Sequence, residues 1–160
     1  LALYGGLYHW FPSVTGRMLD DRLGKIHFWI TFVGTYLIYF PMHYIGFLGV
    51  PRRYYSNEQY DFIPDSVADL NQFITICALI VGASQFILLY NFVNSTIRGK
   101  KASKNPWGAC TLEWQTLESP PGHGNWGDQL PVVYRWPYDY GLPGATADFV
   151  PQNVPDEQIT

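Results

Sequence analysis

The sequence predicts an all-α membrane protein, with half a transmembrane helix and two complete ones followed by an irregular extramembrane tail. Two runs, residues 26–51 and 70–97, contain no Asp, Glu, Lys or Arg. At about 1.5 Å per helical residue, each run is long enough to cross a hydrocarbon core of about 30 Å. The Trp and Tyr residues lie near the ends of the apolar runs, as expected for an aromatic belt at the membrane interface.

Residues 1–16 form the first predicted element, which is apolar and aromatic but too short to span a membrane alone. We expect it to be the end of a transmembrane helix, and the alternative is a buried or interfacial helix. The chain opens at Leu1 with no recognisable signal peptide, as though inside a helix. That start favours part of a longer polypeptide, or one half of a split one.

Two transmembrane helices are predicted at residues 24–50 and 66–97, joined by a loop at residues 51–65. Pro41 is expected to kink the first of them. Basic residues flank one side of the predicted membrane region, and by the positive-inside rule that side is the cytoplasm, or the matrix in a mitochondrion. These basic residues are Arg17, Arg22, Lys25, Arg98, Lys100, Lys101 and Lys104.

Residues 98–160 are predicted to form an extended cytoplasmic tail. The segment is rich in Pro, Gly, Trp and Tyr and has no helical or strand periodicity beyond its basic start. Stretches such as SPPGHGNWG are typical of turns. We expect a tail of this kind to lack a core of its own and to lie across other protein surfaces.

The chain offers few residues for catalysis or metal binding. His27 and His43 are sixteen residues apart, so one helix cannot bring them to one metal ion. Cys77 and Cys110 fit no metal-binding spacing and are read as free thiols. We predict no catalytic or metal-ligating residue. The histidines are expected to bond neighbouring helices or lie at the interface, and the polar residues Asn71, Gln72, Gln85, Asn91 and Asn94 to face other helices. Thr31, Thr35 and Thr75 are expected to bond back to their own helix.

Arg52 and Arg53 are the candidate binding residues. They follow Pro51 at the end of a predicted span, on the side opposite the other basic residues. One reading is that they anchor the helix by reaching lipid headgroups. The other is that two adjacent guanidinium groups receive a pair of carboxylates from a ligand.

Two motif blocks resemble subunit I of the haem-copper cytochrome c oxidases. The block GLYHWFPSVTGRMLDDRLGKIHFWITFVGTYLIYFPMHYIGFLGVPRRY resembles the last three of that subunit's twelve helices, and NPWGACTLEW, SPPGHGNWG and LPVV resemble its C-terminal signature. The resemblance covers nearly all of residues 1–135 and is looser after Pro137. Val50 stands where the family usually has Met, a volume-conserving apolar change.

The resemblance implies a part of a respiratory terminal oxidase that passes electrons from cytochrome c to O2 and pumps protons. It implies two haems, most simply a-type, and copper elsewhere in the complex. The family's arginine pair, which binds haem propionates, falls on Arg52 and Arg53. The family's metal ligands would precede Leu1, so this chain would not be active alone.

The implied partners are the remaining part of subunit I, subunits II and III, cytochrome c, membrane lipid and a respiratory supercomplex. The implied location is the bacterial inner membrane, with the mitochondrial inner membrane as the alternative. Two other functions stay open, a quinol oxidase of the same superfamily and a non-catalytic membrane scaffold subunit.

Overall fold

A computed structural model describes residues 1–51, 53, 55, 60–116, 124–128, 130–138, 144 and 147–158. Three α-helices follow one another: α1 at Ala2–Thr15, α2 at Asp21–Phe47 and α3 at Ser66–Arg98. Short 3₁₀ turns lie at Leu112–Trp114 and Asp156–Gln158. The described part of the chain contains no strand longer than a single bridge. The all-α prediction is therefore confirmed, with helix boundaries within three residues of those expected.

Among the described helices, α3 alone is both long and apolar enough to be a candidate membrane span. The helix α2 is 27 residues long, but its Tyr, His and Gly residues lower its mean hydropathy. Its role as a second span therefore stays a prediction. Pro41 lies inside α2, which continues on both sides of it.

Asp20 and Asn91 fix the start of α2 against α3. The Asp20 carboxylate caps the helix by accepting from the Leu23 backbone N–H at 2.9 Å. The Asn91 side chain donates to the Asp20 carbonyl and accepts from the Asp20 N–H, both at 2.9 Å. Since Asn91 is fully buried, these two hydrogen bonds satisfy polar atoms of its amide that water cannot reach. The Asp20 carbonyl also accepts from the Gly24 N–H at 3.0 Å.

A polar layer joins α2 to α3 farther along the two helices. The His27 Nε2 atom lies 3.2 Å from Gln85 Oε1, which confirms the prediction that this histidine bonds a neighbouring helix. The Thr31 and Ser84 hydroxyl oxygens are 3.4 Å apart. Gly34 faces Val81 with no room for a Cβ atom, so the two helices approach closely there.

The threonine prediction is confirmed for two residues and wrong for the third. Thr35 and Thr75 donate to the carbonyl oxygens four residues earlier, at 2.6 and 2.8 Å. The partner of the Thr31 hydroxyl is instead the Ser84 hydroxyl on α3. Because Thr31 is buried on the face of α2 that meets α3, a polar partner on the other helix is within its reach.

The helix α1 and the chain after Asn94 belong to a second compact unit, residues 1–19 and 95–160. Three indole rings surround the His9 ring, with centroid distances of 5.5 Å to Trp10, 5.9 Å to Trp107 and 5.1 Å to Trp114. The Trp107 indole N–H donates to the His9 carbonyl at 3.0 Å. The Glu113 carboxylate lies 3.6 Å from His9 Nε2. These contacts fix the first part of the tail on α1.

Gln152 ties together three separate stretches of the tail. Its backbone N–H donates to the Cys110 carbonyl at 3.0 Å, and its carbonyl accepts from the Tyr134 N–H at 2.9 Å. Its side-chain amide accepts from the Leu112 N–H at 3.1 Å and donates to the Arg135 carbonyl at 3.2 Å. One residue therefore satisfies four backbone groups from distant parts of the sequence.

The tail buries side chains of its own, so the expectation that it has no core is wrong for the described residues. Cys110, Trp114, Arg135 and Val150 are each less than 9% exposed. The Arg135 guanidinium donates to the Val154 carbonyl at 2.8 Å. Burial raises the pKa of the Cys110 thiol, and the Arg135 charge opposes that effect. The aromatic anchors and the Gln152 hydrogen bonds replace the periodic apolar pattern that the sequence lacks.

We expect Gln152→Ala to loosen the tail by about 1–3 kcal/mol, because two side-chain hydrogen bonds to part-buried backbone groups are lost. Limited proteolysis of the purified protein measures this as faster cleavage between residues 110 and 152. Gln158→Ala is the matched control, since Gln158 is exposed. Equal cleavage of both variants and the unmodified protein would contradict the role of the Gln152 side chain.

Candidate functional site

The loop between α2 and α3 is closed at its base by Gly49 and Phe62. The helix α2 ends with the Leu48 N–H donating to the Tyr44 carbonyl at 3.1 Å. Gly49 follows with φ of 88°, a left-handed conformation that favours glycine. A Cβ atom there would lie 3.3 Å from the Phe62 ring. The close approach of Phe62 thus holds the two ends of the arginine-bearing loop together.

Arg53 occupies an unusual backbone position in this loop. Its φ is 60°, in the left-handed region that few residues other than glycine and asparagine adopt. Its side chain is exposed, and no carboxylate of the described residues forms an ion pair with it. Arg52, the other predicted binding residue, lies outside the described residues. The guanidinium of Arg53 is therefore available to an anionic ligand.

An apolar groove of about 410 Å³ runs along one face of α2 towards the same loop. Its lining is aromatic and contains one histidine. The His43 Nδ1 atom lies 2.7 Å from the Tyr39 carbonyl oxygen. A carbonyl can only accept, so Nδ1 carries a proton, and in neutral His43 the lone pair is on Nε2. The groove is lined by Thr35, Tyr36, Tyr39, Phe40, His43 and Phe47.

This groove was not predicted from the sequence, although a signal for it is present there. Tyr36, Phe40, His43 and Phe47 recur at intervals of four, three and four residues, the spacing of one helix face. Only the structure shows that this face is concave and uncovered by α3. In the described part of the chain, no three His, Cys, Asp or Glu side chains are grouped so that they could hold a metal ion.

Residues 1–107 match the protein family described as cytochrome c and quinol oxidase polypeptide I. The chain belongs to this family. It is 61% identical over 155 residues to the alternative cytochrome c oxidase subunit 1 of Bradyrhizobium diazoefficiens, covering 97% of this chain and 26% of the relative. It is 46% identical over 141 residues to cytochrome c oxidase subunit 1 of Thermostichus vulcanus, covering 88% of this chain and 24% of the relative.

A more distant relative is the heme-copper oxidase subunit I+III of Aeropyrum pernix, 41% identical over 135 residues, which are 84% of this chain and 16% of the relative. The chain thus spans about a quarter or less of the length of these relatives. The resemblance to haem-copper oxidase subunit I is confirmed, and the bacterial homologues and the candidate span α3 agree with a membrane protein.

The described residues fit one edge of a haem, the group that this family implies. A porphyrin presents a broad apolar face and two carboxylates on one edge. The groove on α2 offers an aromatic surface, and the loop that follows it presents the exposed guanidinium of Arg53. An apolar wall followed by a cation matches these two halves of the ligand.

Proposed function

We propose that this chain forms part of the catalytic subunit of a respiratory terminal oxidase and closes one side of a haem pocket. The family match over residues 1–107 carries the proposal, and the exposed Arg53 after α2 supports it. Residues 1–16 end a transmembrane helix, 24–50 and 66–97 cross the membrane, 51–65 lie on the outer side, and 98–160 lie in the cytoplasm.

In this proposal, Arg52 and Arg53 bind haem propionates while the α2 groove covers part of the porphyrin. The haem supplies an iron that accepts and passes on electrons. The arginines keep the propionates ionised, because a nearby positive charge favours the charged form of a carboxyl group. Their charge also favours the electron-rich reduced haem and so raises its reduction potential.

We expect Arg53→Asn to lower the midpoint potential of one haem by tens of millivolts. This is on the order of the Coulomb energy of one charge about 10 Å from the iron, at an effective dielectric constant of about 20. Asparagine tolerates positive φ, so the variant removes the charge with little change in the backbone. Arg53→Lys keeps the charge but loses the two-pronged geometry, and a smaller shift is expected. A redox titration of the haem absorbance in the intact complex measures each potential.

Arg22→Ala is the control, because Arg22 is an exposed arginine in the first turn of α2, at the opposite end of that helix. Unchanged potentials and normal turnover in Arg53→Asn and Arg52→Ala would show that the arginines do not hold propionates. The pair would then serve as membrane anchors, as expected for a non-catalytic scaffold subunit. Haem retention separates the two roles, because an oxidase subunit purifies with haem and a scaffold subunit does not.

Cytochrome c is the proposed electron donor, since relatives with up to 61% identity are named cytochrome c oxidase subunits. The family description also includes quinol oxidases, so a quinol donor is the alternative. The remaining part of subunit I, subunits II and III and a supercomplex are the proposed partners, in a bacterial inner membrane. Turnover of the purified complex with reduced cytochrome c or with a quinol decides between the two donors.

A further inference from the structure

A short backbone ladder at the ends of α1 and α3 holds two positive charges side by side. Residues 16–18 and 100–102 form two antiparallel hydrogen bonds, with N–O distances of 2.8 and 2.9 Å. Arg17 and Lys101 are directly opposite each other in this ladder. They occupy the position between the two hydrogen bonds, where facing Cβ atoms are about 4.5–5.5 Å apart. Their side chains therefore leave the same face of the ladder.

Like charges placed opposite each other in a ladder repel and destabilise it. The Arg17 guanidinium donates to the Gly99 carbonyl at 2.7 Å, which orients it at the C-terminal end of α3. Lys101 is exposed. Three further cations nearby in the chain are exposed: Arg98, the last residue of α3, and Lys100 and Lys104, which follow that helix. Within the described residues, no carboxylate forms an ion pair with any of these five.

We propose that this cationic ladder, defined as Arg17, Arg98, Lys100, Lys101 and Lys104, binds the phosphate group of an anionic phospholipid. An anion between Arg17 and Lys101 removes the repulsion that the ladder imposes. Arg17 offers a planar set of donors that matches a phosphate, and Lys101 adds a point charge. The ligand is thus a phosphodiester with net negative charge, such as phosphatidylglycerol.

The position of the ladder favours lipid over free phosphate or an acidic protein segment. Arg98 is the last residue of α3, the candidate membrane span, so the cations that follow lie where headgroups are expected. Trp10, which is part of α1, and Trp107, which bonds the His9 carbonyl of that helix, are about half exposed. Indole rings prefer the headgroup level. This inference rests on the proposed membrane topology but not on the proposed contacts of Arg52 and Arg53.

The test measures lipid selectivity of the intact oxidase complex in nanodiscs that contain spin-labelled phosphatidylglycerol or spin-labelled phosphatidylcholine. The unmodified complex is expected to immobilise more of the anionic probe than of the zwitterionic one. Lys101→Gln is expected to weaken that preference about fivefold, the change expected for one cation near an anionic surface. Arg17→Gln is expected to do the same, and Arg17→Lys to retain most of the preference.

Lys25→Gln is the matched control, because its ammonium group is already 2.6 Å from the Asp21 carboxylate. Equal immobilisation of the two probes, or an unchanged preference in Lys101→Gln, overturns the proposal. So does displacement of the anionic probe by inorganic phosphate, which would identify a free-phosphate site. Loss of a protein subunit from Lys101→Gln would instead assign the ladder to an acidic protein partner. Haem potentials, recorded in the same samples, report separately on Arg52 and Arg53.

Discussion

Asn91→Leu is expected to destabilise the protein by about 1–3 kcal/mol, because two hydrogen bonds to Asp20 are lost. The Asp20 N–H then has no partner, while the Asp20 carbonyl keeps only the Gly24 N–H. Asn91 is fully buried and makes both hydrogen bonds at 2.9 Å. Leucine has a similar volume but neither a donor nor an acceptor. Since Asp20 caps α2, the loss should loosen the start of that helix. Thermal inactivation and detergent-induced unfolding of the purified complex measure the change.

Two further variants decide whether the hydrogen bonds themselves cause the effect. Asn91→Asp keeps an acceptor for the Asp20 N–H but loses the donor, so it should also destabilise. Asn94→Leu removes the same amide group three residues later, where the side chain is only half-buried, and should have a much smaller effect. Equal effects of Asn91→Leu and Asn94→Leu would mean that the pairing with Asp20 contributes little to stability.

Gly99→Ala is expected to disrupt the turn after α3 and cost about 3 kcal/mol or more, at the upper end of the usual range for overpacking. A Cβ atom at Gly99 would overlap the Ser95 carbonyl oxygen and lie 2.8 Å from the Met18 carbonyl oxygen. Both are backbone atoms, so neither can move aside by a side-chain rotation. Hydrogen exchange should show reduced protection of the Met18 and Ala102 amides, which form the ladder.

Gly82→Ala provides the control for this substitution. Gly82 lies inside α3, and a Cβ atom there has no described atom within 4 Å. Alanine is a better helix former than glycine, so this variant should be neutral or slightly stabilising. If Gly99→Ala retained full amide protection and normal yield, the tight approach of residues 18, 95 and 99 would not constrain this turn.

The parts of the fold that follow from periodicity and charge could be predicted, and the parts that depend on single distant contacts could not. The charge-free runs gave α2 and α3 because burial in an apolar medium requires such composition over a whole helix. The tail contains no repeated pattern. Its structure depends on the Gln152 amide, which bonds Leu112 from 40 residues away. A glutamine in a polar segment carries no signal of such a contact.

The candidate site was likewise predictable only in part from the sequence. Arg53 stood out in the sequence because its charge is predicted to lie on the side that the positive-inside rule disfavours. Its left-handed backbone, with φ of 60°, depends on the turn around it and could not be foreseen. The α2 groove had a visible helical spacing, but that spacing also fits a lipid-facing stripe. Only the structure shows that the stripe forms a groove.

The hydrogen bonds of Gln152 also set an order of events during synthesis. Residues 110–112 leave the ribosome long before Gln152, which lies 40 residues after Leu112. At the usual elongation rate, the earlier segment waits about 2–8 s for its partner. During that interval the Cys110 and Leu112 backbone groups have only water or chaperones to bond. Closure of the tail is therefore a late step, which comes after the whole of α3 has been synthesised.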